Sequence, residues 1–153
     1  SFIYQIRELQ NGGEFVVLLF LAAWGNDTLA YCTGMLIGKH KMSPILGPKK
    51  SIEGLIGGIV GAAILGALYG LYLNTYIRFS FNPVTMFPIV CGLGGAVSVI
   101  GDLAASAIKR DSGIKDYGTL IPGHGGILDR FDSIIFIAPV IYYLTVMISG
   151  GAI

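Results

Sequence analysis

Between Asp102 and Asp132 the chain gathers nine of its 19 formally charged side chains. They are Asp102, Lys109, Arg110, Asp111, Lys115, Asp116, Asp129, Arg130 and Asp132, and His124 stands among glycines in Pro122-Gly123-His124-Gly125-Gly126. The whole chain is 54% hydrophobic and only 12% charged, so such a concentration is not what packing requires. Cations, carboxylates and a Gly-rich turn together suit a metal-bound polyphosphate.

Spacing adds detail. Asp102, Ser106 and Lys109 fall at i, i+4 and i+7, so on a helix they share one face. A carboxylate deep on that face, with a hydroxyl and a cation nearer the water, fits a metal below a phosphate. After Gly125-Gly126, Asp129 opens the next apolar run, where helix N-terminal N–H groups and the helix dipole favour an anion. Two acids from two helices suit Mg²⁺, which takes oxygen ligands and binds through one or two carboxylates plus phosphates. The Gly-His-Gly-Gly turn is not a Walker A loop, which ends in Gly-Lys-Ser/Thr. His124 either contacts phosphate or caps a turn. No serine has a His–Asp order that makes a nucleophilic triad, and His40 reads as a solvated loop residue. Cys32 and Cys91 lie in separate apolar runs without metal-ligand spacing, and read as small buried hydrophobes rather than a disulfide.

The elements that must position these residues are membrane helices. The chain has 153 residues, 23 of them glycine, and a mean hydropathy of +0.73, which places it in the membrane class. Four apolar runs, about Phe15–Gly38, Gly54–Leu73, Val84–Ile108 and Phe131–Ser149, are each long enough to cross a hydrocarbon core about 30 Å thick. The expectation is an all-α, polytopic transmembrane helix bundle of about four spans, forming one catalytic domain over 1–153 with cytoplasmic catalytic loops. Gly54-x3-Gly58 and Gly57-x3-Gly61 predict close helix approach, and Asn82-Pro83 predicts a turn before the third run. Ser1–Gln10 reads as the tail of a helix already under way.

Charge sets the orientation. Eight of the ten cations fall in the two loops Lys39–Lys50 and Lys109–Arg130, with Arg7 and Arg78 opposite. The positive-inside rule makes the eight-cation face cytoplasmic. Lys49-Lys50 then sit at the interface, either as a lipid-facing anchor or as phosphate ligands. Asp27, Asp102 and Asp129 interrupt or border apolar runs, and an ionised carboxylate there must face a bundle interior or polar cavity. For Asp27 a helix break at Asn26-Asp27 is the competing reading. A net charge of +1 gives no global basic field, and so no nucleic-acid partner.

One stretch carries a resemblance. Ser106-x-Ile108-Lys109-Arg110-x4-Lys115-Asp116-x-Gly118-x2-Ile121-Pro122-x-His124-Gly125-Gly126-Ile127-x-Asp129-Arg130-Phe131-Asp132 closely resembles the motif of the phosphatidate cytidylyltransferase (CDP-diacylglycerol synthase) family. Asn26-Asp27-x2-Ala30-Tyr31-x2-Gly34-x3-Gly38 and Ser43-Pro44…Pro48-Lys49-Lys50-Ser51-x-Glu53-Gly54 also resemble that family. The resemblance covers most of the chain and implies the C-terminal catalytic part of a longer pattern with more N-terminal helices. It implies transfer of CMP from CTP to phosphatidic acid, releasing pyrophosphate, by an Mg²⁺-dependent integral membrane enzyme that dimerises. By the same implication the bacterial inner membrane holds it, with the active site facing the cytoplasm. Asp102 and Asp129, with Asp27 as a further candidate, would hold one or two cations, and Lys109 would join them in catalysis. Lys109, Arg110, Lys115, Asp116, His124, Gly125 and Gly126 would bind CTP. Lys49, Lys50 and Arg130 would meet the phosphate of the lipid.

Two rivals are weighed against this. A CTP-using polyprenol or phytol kinase would move the γ-phosphoryl group instead. An ion-coupled transporter would use Asp27 and Asp102 in broken helices, and leaves the basic Gly-rich loop unexplained.

Overall fold

The computed structural model describes residues 1–43, 47–113 and 128–148. It is a polytopic transmembrane helix bundle. A short helix α1 (Phe2–Glu8) precedes α2 (Gly12–Phe20), a π-helical turn (Leu21–Gly25) and α3 (Asn26–Ile37). Strands β1 (Lys41–Ser43) and β2 (Gly47–Ser51) lead into α4 (Ile52–Tyr76), α5 (Pro83–Asp111) and α6 (Leu128–Ile148).

Three continuous helices are long and apolar enough to cross a membrane: Gly12–Ile37, Ile52–Tyr76 and Pro83–Asp111. The fourth expected span corresponds to α6, whose apolar stretch Ser133–Ile148 is shorter. Asn26-Asp27 does not break the first helix. The chain passes through the π-turn and continues as α3, so the polar pair is carried inside one long helix.

Local chemistry explains the helix ends. The Ser51 side chain caps α4 by accepting from the Gly54 N–H at 3.1 Å. The Asn82 side chain caps α5 by accepting from the Val84 N–H at 3.0 Å, and Pro83 occupies the first helical position, where its missing N–H costs nothing. The expected turn at Asn82-Pro83 is therefore a capped helix start. The first loop contains the antiparallel β1–β2 pair, with Lys41 opposite Ser51 and Ser43 opposite Gly47.

Glycines set the helix spacing. A Cβ on Gly58 would stand 2.8 Å from the Ala30 Cβ, and one on Gly61 would stand 2.5 Å from Leu29 Cδ1. Gly66 and Gly70 serve the other side of α4, where a Cβ would meet the carbonyls of Phe87 and Pro83 at 2.7 and 2.6 Å. Lipid tails are as apolar as leucine, so such close van der Waals contact, rather than hydrophobic burial, drives association here.

The core lies between α2, the π-turn, α5 and α6, around Phe15, Leu18, Leu19, Ala22, Phe87, Ile134, Ile137 and Ile141. Cys91 is buried in it, as expected, but Cys32 is exposed on α3. Position decides: Cys32 lies off the α3 face, Asn26, Ala30, Thr33 and Gly34, that packs on α4. Both cysteines are free.

Candidate active site

The helix pairing places the site. Gly70 meets Pro83 and Gly66 meets Phe87, while Gly58 and Gly95 both touch Asn26, so α4 and α5 run antiparallel in one steady register. The same register sets Asp102 level with Ser51, at the start of α4. The α5–α6 pairing is equally regular: Gly94 faces Ile137 and Ile141, and Gly101 packs on Phe136, 2.8 Å from a Cβ there to Cδ2. At that level the Ser133 hydroxyl donates to Asp102 Oδ1 at 2.7 Å. One turn before Ser133 on the same face of α6 comes Asp129, which this pairing sets level with Ser106.

Of the two acids singled out from sequence, Asp102 thus lies at the α5–α6 seam, and Asp129 falls in the first turn of α6. Asp102, Ser106 and Lys109 are all half-buried along α5, and Arg110 is exposed in its last turn. Cations there complement the negative end of the helix dipole. The π-turn closes the third side, with Trp24 packing edge-on against Phe131 at a centroid distance of 6.2 Å. Asp27 lies exposed in the first turn of α3, beside the fully buried Asn26.

The first basic loop reaches the same end of the bundle, because α4 leaves it and α5 returns. His40 anchors it: Nδ1 lies 2.6 Å from Glu53 Oε1, and the His40 N–H points at both Glu53 oxygens, at 3.3 and 3.2 Å. The Ile52 N–H donates to the His40 carbonyl at 2.9 Å. His40 is therefore solvated, as expected, yet paired. Lys49 and Lys50 sit on β2, and Asp129 and Arg130 in the first turn of α6. Lys115, Asp116, His124, Gly125 and Gly126 lie outside the described residues.

The described donors at the seam, the Asp102 carboxylate and the Ser133 hydroxyl, are oxygens, which fits a hard cation. Among the described residues no three His, Cys, Asp or Glu side chains stand together. Sequence reading missed Ser133; its signal was the Asp129-x3-Ser133 spacing. It also treated Asn26 only as a neighbour of Asp27, although Asn26 is the buried member of the pair.

Comparison with known proteins adds an independent line. The family model described as "Cytidylyltransferase family" matches residues 1–148. The chain is 36% identical over 148 residues to a Staphylococcus saprophyticus protein named phosphatidate cytidylyltransferase, covering 97% of this chain and 55% of that protein. Proteins of the same name from Bacillus subtilis and Thermotoga maritima are 38% identical over 150 residues and 37% over 139. Those matches cover 97% and 91% of this chain, and 54% and 52% of the relatives. The chain spans about half the length of the curated relatives it matches.

Proposed function

The chain belongs to the cytidylyltransferase family, and from that premise we propose that it carries the catalytic centre of a membrane enzyme moving CMP from CTP to phosphatidic acid. The phosphate of the lipid attacks the α-phosphorus of CTP, the bond to the β-phosphate oxygen breaks, and pyrophosphate leaves. The attacking oxygen is already anionic, so no strong general base is needed. What the reaction demands is positioning and charge neutralisation.

The residues divide that work. Asp102 and Asp129 would hold Mg²⁺, with Asp27 a further candidate near the same polar layer. Bound there, the cation supplies neutralisation of the triphosphate and of the departing pyrophosphate. Lys109 and Arg110, at the end of α5, bind and orient the nucleotide phosphates, with Lys115, Asp116, His124 and the Gly125-Gly126 amides. Lys49 and Lys50 on β2 and Arg130 on α6 meet the lipid phosphate from the interface. Ser133 holds Asp102 through Oδ1. The site faces the cytoplasm, where CTP is available and where the excess of loop cations belongs.

The observation that carries this reading is the Ser133–Asp102 hydrogen bond at 2.7 Å. It ties the helix bearing one acid to the helix that begins with the other, at the end of the bundle where α5 ends and β2 leads into α4. The test is a protein of the relatives' full length, purified in detergent and given CTP, Mg²⁺ and phosphatidic acid. The expected result is pyrophosphate released in step with CDP-diacylglycerol, and only when phosphatidic acid is present. Release of CDP instead would mean γ-phosphoryl transfer and would overturn the proposal.

A further inference from the structure

A stripe of buried residues descends the first long helix: Phe15, Leu18, Leu19, Ala22, Ala23 and finally Asn26. The first five are apolar, whereas the last is a carboxamide with 1% of its surface exposed. Two other helices make room for it. A Cβ on Gly58 of α4 would stand 2.7 Å from Asn26 Oδ1, and one on Gly95 of α5 would stand 3.1 Å away. Yet among the described residues neither Oδ1 nor Nδ2 has a hydrogen-bond partner. The Ser98 hydroxyl is in the same position, fully buried on α5 and without a partner.

Unmet polar groups inside a membrane bundle are costly. A leucine would fill nearly the outline of Asn26 without that cost. The two polar groups are also placed in line with the site. Ser98 follows Gly95 by three residues and precedes Asp102 by four, so all three positions share a face of α5. Asn26 itself leaves a π-turn, a geometry found frequently at functional sites.

We propose that Asn26 and Ser98 are positioning residues for the cation site. They form, with one buried water, a polar network that joins the π-turn to Asp102 and holds its carboxylate in the orientation a divalent cation needs. Such a water would draw the two to four partners that buried waters typically take from the Asn26 amide, the Ser98 hydroxyl and the Asp102 carboxylate. The inference rests on Asp102 being a cation ligand and deepens that reading. Groups that orient a metal's ligands from behind typically govern affinity by about 10- to 100-fold.

The test uses the full-length protein in detergent and Mn²⁺ alone as the probe, with binding read from loss of the free-ion EPR signal. Asn26→Leu is expected to raise the Mn²⁺ dissociation constant about tenfold while the thermal unfolding midpoint stays level or rises. Ser98→Ala is expected to move affinity in the same direction. A residue that merely packs would shift the unfolding midpoint and leave the affinity alone. Should Asn26→Leu fail to fold, Ser98→Ala decides by itself. Asp102→Asn separates the two levels of the argument. Loss of Mn²⁺ binding in Asp102→Asn, with wild-type affinity in the folded Asn26 and Ser98 variants, overturns this inference and leaves the cation site standing. A wild-type protein that takes up no Mn²⁺, or an Asp102→Asn variant that binds like wild type, overturns both.

Discussion

Asp102 gains its meaning from what surrounds it. It is half-buried at the level where α4 begins, and Ser133 donates to it from the next helix. The proposed site brings a second carboxylate, that of Asp129, beside it, which is unfavourable unless a cation lies between the two. Asp102→Asn and Asp129→Asn keep size and remove charge, so each should fold and each should lose at least about 10²-fold in rate of CDP-diacylglycerol formation. Ser133→Ala removes the hydrogen bond to Asp102, and about a tenfold loss is expected, seen as a raised Mg²⁺ requirement in the same assay. Lys49→Ala should act differently, raising KM for phosphatidic acid more than it lowers kcat. The two acids stood out in the sequence because an ionisable residue in an apolar run is conspicuous. Ser133 and Asn26 did not, because hydroxyls and amides in helices are common and only packing reveals which are buried. Asp27 shows the reverse limit. Its charge drew notice, whereas the buried side chain is its neutral neighbour.

At the scale of elements, glycine spacing proved the most readable signal. Gly54-x3-Gly58 and Gly57-x3-Gly61 predicted close approach, and α4 meets α3 through those residues, with Thr33 Oγ1 only 2.4 Å from a Cβ placed on Gly57. Gly58→Leu should therefore clash with Asn26 and Ala30 and cost about 1–3 kcal/mol or more, read as a lowered unfolding midpoint in detergent. Gly13→Ala meets nothing within 4 Å and sits inside α2, so it should be neutral or stabilising by up to about 1 kcal/mol. Equal destabilisation by both would contradict the packing account. The π-turn at Leu21–Gly25 left no trace in the hydrophobic pattern, since its buried residues keep helical spacing. The β1–β2 pair was equally hidden, because Gly and Pro in Gly47–Ser51 read as breakers rather than as strand.

For the whole molecule, alternation of long apolar helices puts the β1–β2 loop and the α5–α6 connection at one end. Cysteines introduced at Ser43 and Ser112, after replacement of Cys32 and Cys91, should be labelled from the same side of the membrane. Labelling from opposite sides would refute the arrangement. The segment Ser1–Ile153 purified alone should show no turnover, because it spans about half the length of the relatives it matches. Full activity of that segment in a CTP assay would overturn this expectation. The most direct measurement follows the α- and γ-phosphorus of CTP separately, in a protein of the relatives' full length supplied with phosphatidic acid. The account predicts α-label in CDP-diacylglycerol and γ-label in pyrophosphate, both dependent on Mg²⁺ and both lost in Asp102→Asn and Asp129→Asn. Label from the γ-position on the lipid, or near-wild-type α-label transfer by both variants, would contradict it.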